Sequence, residues 1–370
     1  MLTPFPARIA LTSSDFENAP EILSVGRALP PHYADQETLI AALREEWVEQ
    51  HYNLDRLEEL HRAVQVSGRY LALPIAEYAA LGSFAKRNEA WRRVAAELGE
   101  SAIRSALRAA GLSPGDVDAL FFVTVTGIST PSLDATLVNR LGLRPDVKRT
   151  PIFGLGCVAG AAGVARASDY LRSFRDQVSV LLSVELCSLT LQRKDLSVAN
   201  MVASGLFGDG AAAVALAGER RHDSPRGPRV VATRSVFYPD TERVMGWEVI
   251  DGGFKIVLSA KVPQLVMQNI RRDVDSFLGA QGLDRTRIAH WIAHTGGPKV
   301  LQAFESALEL PAQSLERSWR SLSETGNLSS ASVLFVLGEF LEASAARPDD
   351  YGLLLAMGPG FCSELVLLRW

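Results

Sequence analysis

Hydrophobic residues follow two alternating patterns along the chain. Continuous apolar runs, typical of strands buried on both faces of a sheet, lie near residues 22–29, 119–126, 149–155, 178–185, 211–216 and 230–237. Apolar residues spaced three or four apart predict helices within residues 35–65, at 90–110 and at 133–141. After residue 228 the alternation recurs, with helices at 262–277, from 298 and at 330–340, and strands near 291–294, 351–357 and 362–368. This order predicts a parallel-rich sheet covered by helices on both faces.

A polar segment rich in Arg, Gly and Pro, residues 218–228, separates the two runs of strands and helices. We therefore predict two similar α/β halves, an N-terminal one over residues 1–220 and a C-terminal one over residues 229–370. Self-similarity between the halves is too weak to prove a duplication from the sequence. Residues 1–20 contain three prolines and predict an irregular arm.

One segment places a single cysteine between a strand and a helix. An apolar approach ends in Gly154 and Gly156, and Cys157 then begins a helical pattern rich in Gly and Ala. The positive end of a helix macrodipole lowers the pKa of a thiol placed there and favours the thiolate. A lone cysteine is more often a buried structural residue. Because the glycines on both sides leave room for a substrate, we predict a nucleophile.

Composition and charge exclude several classes of protein. The chain has 370 residues, 47% of them hydrophobic, and a net charge of −4, so one large or two fused domains fit and no basic field favours nucleic acid. Three scattered cysteines do not form a disulfide framework, and no Cys/His spacing indicates a metal site. We expect a cytoplasmic protein, because neither a signal peptide nor an apolar run long enough to span a membrane is found.

Two further polar residues lie where chemistry is expected. His294 ends the apolar run 291–293 and precedes Thr-Gly-Gly-Pro, the kind of position where α/β sheets place active sites, although a capped core histidine fits equally well. Asn327 is compatible with a turn or a helix N-cap, or with an amide that holds the oxygen of a thioester as it becomes an enolate. For the remaining histidines we expect no chemical role: His32, His51, His61, His222 and His290.

A glycine-rich stretch, residues 205–210, predicts a tight turn in which Asp209 accepts backbone N–H groups and Phe207 faces a pocket. No Gly-x-Gly-x-x-Gly opens a helix after a strand, so the sequence contains no dinucleotide-binding fingerprint.

Taken together and in this order, five motifs resemble the type III polyketide synthases, the chalcone synthase superfamily on the thiolase fold. They are GLGCVAG at 154–160, LFGDGAAA at 206–213, IAHTGGP at 292–298, GNLSSA at 326–331 and GPG at 358–360. The resemblance covers nearly the whole chain. It implies a thiolase-like α/β fold in which two similar halves with mixed sheets are layered with helices as αβαβα.

The resemblance also implies roles. Cys157 would take an acyl starter from coenzyme A, and His294 with Asn327 would bind the thioester carbonyl of malonyl-CoA and stabilise its enolate. An imidazolium at His294 would hold Cys157 as the thiolate. Phe207 would separate the CoA tunnel from the reaction cavity. Acyl-CoA and malonyl-CoA would be substrates, with no permanently bound cofactor. A homodimer is implied, because the loop at Thr130-Pro131 matches one that enters the partner's cavity, often through a cis X-Pro bond.

Other positions bear on the substrate. Residues 182–190 and 244–247 resemble bacterial members that make alkylpyrones or alkylresorcinols from fatty acyl starters. Trp247 would narrow one side of the cavity, whereas the small residues Thr126, Thr130 and Cys187 would leave room for an acyl tunnel. Core packing is the alternative for Trp247 and Cys187. The same resemblance assigns further substrate contacts to Thr190, Ser329 and Met357, the last replacing a usual phenylalanine, and CoA contacts to Arg56, Lys299 and Gly297.

Coenzyme A recognition departs from the family pattern, because Glu59 and Ala63 occupy positions where cations are usual. Two other functions remain open at this point. A ketoacyl synthase of fatty-acid initiation shares Cys, His and Asn but meets an acyl carrier protein through a basic patch, which the isolated Arg56, Arg62 and Lys299 do not form. A cysteine thioester hydrolase would need water at the thioester instead of an apolar cavity.

Overall fold

The computed structural model describes residues 18–48, 53–221, 227–343 and 346–370. Most of the predicted N-terminal arm, His51 and His222 lie outside the described residues. The division into halves at residues 220 and 229 stays a prediction.

The N-terminal part of the chain alternates strands and helices in the predicted order. Its strands are β1 (Glu21–Ala28), β2 (His32–Asp35), β3 (Gly68–Leu71), β4 (Ala119–Thr124), β5 (Lys148–Phe153), β6 (Val178–Leu186) and β7 (Asp209–Ala217). Its α-helices are α1 (Gln36–Trp47), α2 (Leu54–Ala63), α3 (Phe84–Ala110), α4 (Leu133–Leu141), α5 (Ala159–Ser173) and α6 (Val198–Leu206). Helix α3 ends where predicted, because Gly111 adopts a left-handed conformation with φ +68°.

The C-terminal part repeats this alternation. Its strands are β8 (Arg229–Phe237), β9 (Met245–Ile250), β10 (Gly253–Leu258), β11 (Ile288–Ala293), β12 (Tyr351–Gly358) and β13 (Cys362–Arg369). Its α-helices are α7 (Val262–Gly279), α8 (Pro298–Leu308), α9 (Glu316–Thr325) and α10 (Ser332–Ala343). Strands β9 and β10 form a separate two-stranded hairpin.

One nine-stranded sheet has the order β11-β12-β13-β8-β1-β7-β6-β4-β5. In the first half, β4 is parallel to β6, β6 antiparallel to β7, and β7 antiparallel to β1. The same directions recur in β11, β12, β13 and β8. The halves join at a single residue pair between β1 and β8, Glu21 with Arg229. The sheet therefore contains two groups of strands with similar directions, which meet edge to edge at β1 and β8.

The predicted parallel-rich sheet was only partly right, since most strand pairs are antiparallel. The reason is burial. Helices cover both faces of the sheet, so antiparallel strands such as β7, which is buried throughout, also read as continuous apolar runs.

Three apolar cores define the layers. One packs α3 and α4 against β4, β6 and β7, and another packs α7 and α8 against β11, β12 and β13. The third lies between the two halves and is built from α5 and α10. This arrangement confirms the αβαβα layering.

The predicted tight turn at residues 205–210 was wrong. Helix α6 continues to Leu206 and β7 begins at Asp209, so the segment is a helix-to-strand junction. A β-carbon at Gly208 would overlap the Thr325 carbonyl oxygen. This close approach allows Phe207 to form a parallel bridge with Asn327.

Candidate active site

Cys157 lies where the sequence predicted it, after β5 and before α5. Gly154 and Gly156 take positive φ angles of +97° and +54°, which reverse the chain between strand and helix. Cys157 itself is in a short 3₁₀ turn, Gly156–Val158, that precedes α5. Its side chain is buried, with 6% of the residue exposed.

His294 and Asn327 come from the second half of the chain. His294 follows β11 and is fixed by a hydrogen bond from its backbone N–H to the Leu355 carbonyl at 3.0 Å. Asn327 is fixed from both sides, since its N–H donates to Leu206 at 2.9 Å and its carbonyl accepts from Gly208 at 3.0 Å. The junction at residues 206–208 therefore positions Asn327.

The amide of Asn327 is also oriented. Its oxygen accepts the Ser329 N–H at 2.8 Å and the Ser332 hydroxyl at 3.4 Å. With the oxygen engaged, the amide NH₂ group is left to face the cysteine, where its hydrogen bond favours the thiolate of Cys157.

One small cavity of about 30 Å³ brings these three side chains together. Cys157, His294 and Asn327 line it beside Phe207 and Met357. The other side chains around it are apolar: Leu206, Met245, Leu258, Val262, Val266, Val300, Phe304 and Phe361. The Cys157 thiol donates to the Ser329 hydroxyl at 3.8 Å. Both ring nitrogens of His294 are buried and have no partner among the described residues.

The electrostatics of this cavity bear on the predicted charges. Burial raises the pKa of Cys157 to about 12, although hydrogen bonds from Ser329 and Asn327 act in the opposite direction. Burial also lowers the pKa of His294 to about 3. Burial therefore favours a neutral thiol and a neutral imidazole. The predicted thiolate–imidazolium pair is opposed by desolvation among apolar side chains, which disfavours both charges, and it stays a prediction.

Sequence reasoning missed Glu185, a buried acid that lies beside the site. It accepts the Val125 N–H at 3.1 Å and the Thr126 hydroxyl at 2.9 Å, and it also bonds Ser330. Burial raises the pKa of Glu185 to about 7, and its charge raises the pKa of Cys157. The available signal was one acidic residue in the otherwise uncharged run 178–186.

A second pocket of about 750 Å³ adjoins the first, and Phe207 lines both. Cys187, Thr190 and Trp247 belong to its wall, together with apolar residues of α1 and of the segment 71–81. Two other predicted pocket residues lie elsewhere. Thr126 turns its hydroxyl to Glu185, and Thr130 is exposed, so neither lines a described cavity of this chain.

Comparison with known proteins identifies the family. Residues 12–219 match the family model of the chalcone and stilbene synthase N-terminal domain, and residues 229–370 match that of the C-terminal domain. The chain belongs to the chalcone and stilbene synthases. These type III polyketide synthases are acyltransferases that use CoA thioesters, condense malonyl-CoA with loss of CO₂ and need no permanent cofactor.

Individual relatives agree with this assignment. The chain is 48% identical to a 1,3,6,8-tetrahydroxynaphthalene synthase of Streptomyces peucetius subsp. caesius, over 99% of this chain and 97% of the relative. It is 36% identical to a putative chalcone synthase of Bacillus subtilis, over 94% and 98%. The crystal structure of tetrahydroxynaphthalene synthase from Streptomyces coelicolor superposes with a TM-score of 0.89 at 30% identity, covering 95% of this chain and 99% of that chain. The thiolase-like fold is thereby confirmed.

Of the predicted contacts, those to CoA have the least support in the structure. Arg56 is exposed and paired with Glu59 at 2.7 Å. Lys299 is the second residue of α8 and is exposed. Gly297, which precedes this helix, is buried and has φ +124°. These three contacts stay predictions.

No group of three or more His, Cys, Asp or Glu side chains among the described residues is arranged to hold a metal ion. None of the described helices is both long and apolar enough to cross a bilayer.

Proposed function

We propose that the chain loads an acyl starter from acyl-CoA onto Cys157, extends it with malonyl-CoA and cyclises the product to an alkylpyrone or alkylresorcinol. The observation that supports this is the second pocket. It has a volume of about 750 Å³, a mostly apolar wall, and one side chain, Phe207, in common with the cavity that holds Cys157. An alkyl chain attached to the sulfur would find apolar surface in this pocket, whose wall includes the predicted cavity residues Cys187, Thr190 and Trp247.

Loading begins with proton transfer. His294, whose imidazole lines the same cavity, takes the thiol proton of Cys157 as the sulfur attacks the starter thioester. The new carbon–sulfur bond forms, the bond to the CoA sulfur breaks, and CoA leaves as its thiol with the proton from His294. Because the pKa of His294 is low, its imidazolium gives the proton readily to the leaving CoA sulfur.

Extension requires an oxyanion to be held. When malonyl-CoA loses CO₂, the electron pair of the broken carbon–carbon bond passes to the thioester oxygen as an enolate. Neutral His294 offers one ring N–H, and Asn327 offers its NH₂ group, since its amide oxygen is already bonded. The enolate carbon then attacks the acyl group on Cys157 and releases the sulfur.

A second candidate is a product assembled from malonyl-CoA alone, as in a tetrahydroxynaphthalene synthase. The relative at 48% identity carries that name. The small volume next to Cys157, about 30 Å³, also suits a short first unit.

Radiolabelled malonyl-CoA tests the two candidates, supplied alone and with saturated acyl-CoAs of increasing length. We expect alkylpyrones or alkylresorcinols whose mass follows the added starter, with little product from malonyl-CoA alone. Mass spectrometry of the products measures this. The matched control is Cys157→Ala, which should lose acyl loading while it still releases some labelled CO₂. A single product that is independent of the added starter would instead establish the second candidate.

A further inference from the structure

Arg69 places a buried guanidinium in the wall of the 750 Å³ pocket. It projects from β3, and only 4% of the residue is exposed. Its Nη2 donates to the Ser204 carbonyl, whereas its Nη1 is buried and has no hydrogen-bond partner among the described residues. One donor of a fully buried cation is therefore unused at the edge of a large pocket.

No carboxylate of the described residues lies within ion-pair distance of Arg69. Asp209 is the acid whose charge acts on it, but the Asp209 oxygens already accept the Ala72 N–H at 2.6 Å, the Ser188 N–H at 2.8 Å and the Ser188 hydroxyl. Burial lowers the pKa of Arg69 to about 10, so the guanidinium is charged at neutral pH. Its positive charge is thus desolvated without a contacting anion.

His61, a second titratable neighbour of Arg69, is neutral. Burial, and then the charge of Arg69, lower the pKa of His61 to about 3. The Ser204 hydroxyl donates to the Met201 carbonyl at 2.8 Å and must accept from His61 Nε2 at 3.1 Å. The remaining His61 nitrogen, Nδ1, has no partner in the described structure. His61 is therefore an uncharged neighbour, and the charge of Arg69 is not balanced from this side.

Other arginines of the same pocket are occupied. Arg193 forms an ion pair with Glu46, and Arg87 donates to the carbonyls of Leu81 and Gly252. An unpaired buried cation is costly, and a carboxylate that reaches it forms a strong, charge-assisted hydrogen bond. Among these three arginines, Arg69 has the buried, unused N–H group.

We propose that Arg69 binds the terminal carboxylate of the starter, and that the preferred starters are CoA thioesters of dicarboxylic acids. This inference rests on the proposed function, in which the starter chain lies in the 750 Å³ pocket. The methylene groups between thioester and carboxylate would pack on apolar wall residues such as Leu71, Ile75 and Leu191. The carboxylate would accept the free Nη1–H of Arg69, and the neutral His61 nearby would not repel it.

Paired starters test the inference on the wild-type enzyme. Acyl-CoAs of equal chain length, ending either in a methyl group or in a carboxylate, are compared by kcat/KM for extension with malonyl-CoA. At the length that reaches Arg69 we expect the carboxylate-ended starter to be preferred at least ~tenfold. Arg69→Gln should abolish that preference, measured as the ratio of the two kcat/KM values, whereas Arg69→Lys should keep part of it. Arg271→Gln, an exposed arginine paired with Glu309, is the matched control and should leave the preference intact.

Two results separate this inference from the proposed function. If methyl-ended starters are extended and no chain length shows a preference for carboxylate, Arg69 serves only to hold α6, and the inference is wrong while the proposed function stands. If no added starter is extended, the proposed function is wrong. Titration calorimetry on Cys157→Ala, which keeps Arg69, then decides the site alone, because tighter binding of the carboxylate-ended acyl-CoA supports it and equal binding overturns it. The same measurement replaces Arg69→Gln if that variant does not fold.

Discussion

At the scale of single residues, burial decides the protonation states of the site. The sequence singled out Cys157, His294 and Asn327, and all three line one cavity although 170 residues separate the first from the last. It did not indicate their charges, because desolvation depends on what surrounds a side chain in three dimensions. Cys157 also precedes α5 by two residues, so it receives less of the helix macrodipole than a residue in the first turn of the helix.

Alkylation kinetics test the neutral pair directly. Iodoacetamide reacts with the thiolate, and the folded-state pKa of Cys157 is raised to about 12, so the thiol form should persist through neutral pH. The alkylation rate should then rise ~tenfold per pH unit between about pH 7 and 10 without a plateau. Mass spectrometry of the Cys157 peptide measures the rate.

Glu185→Gln is the informative variant in this experiment, because it removes a charge that raises the pKa of Cys157. It should speed alkylation at a given pH. Cys157→Ala is the control for alkylation of the other two cysteines. A plateau reached below about pH 7 would show a preformed ion pair and contradict the neutral assignment.

At the scale of elements, the sequence predicted most helices and strands but not every contact that positions the site. Helical spacing found α4 with its correct ends, and the apolar runs found β12 and β13. No clear apolar run predicted the hairpin β9–β10, because most of its residues are at least partly exposed and Val249 is 75% exposed. The Phe207–Asn327 bridge joins residues 120 positions apart, and no local pattern records such a pairing.

Gly160 tests the contact between the cysteine helix α5 and the turn that follows Asn327. A β-carbon at Gly160 would overlap the Ser330 carbonyl oxygen and lie 2.9 Å from Val333 Cγ1. Gly160→Ala should therefore lower the free energy of unfolding by about 1–3 kcal/mol. It should also slow malonyl-CoA decarboxylation, because Ser329 and Asn327 shift with the turn. Urea unfolding and CO₂ release are the two measurements.

Gly279→Ala is the matched control at the end of α7, where a β-carbon would have no heavy atom within 4 Å. It should be neutral or stabilise the protein by a few tenths of a kcal/mol, up to about 1 kcal/mol. Equal unfolding midpoints for the two variants would mean that α5 does not pack closely on the turn.

At the scale of the whole molecule, the site exists only because the halves pack together. The first half supplies Cys157 and the second supplies His294 and Asn327, while the sheets themselves share one residue pair, Glu21 with Arg229. The central layer of α5 and α10 therefore supplies apolar contact between the halves. Alternation of strands and helices predicted each half, but the way in which the halves face each other depends on packing between distant segments.

One face of the described chain indicates a second copy. Strand β5 ends the nine-stranded sheet and is mostly exposed, and its last residue, Phe153, is 53% exposed. Ile128, in the loop after β4, is 50% exposed and precedes the cis Thr130–Pro131 peptide. Because Pro151 and two basic residues of β5 disfavour strand pairing at this edge, we propose a homodimer held by side-chain packing over this face.

Light scattering coupled to size exclusion tests the dimer. The wild-type protein should have twice the 40.1 kDa mass of one chain at micromolar concentration. Ile128→Glu should shift the mass toward that of one chain, because a charge in the middle of an apolar interface is left without a partner. Met267→Glu is the matched control, since Met267 is an exposed apolar residue of α7, which packs on β11, β12 and β13 at the other end of the sheet, and it should leave the dimer intact. If wild type has the mass of one chain, the proposed dimer is wrong. If both variants dissociate equally, the effect of Ile128→Glu is not specific to this face.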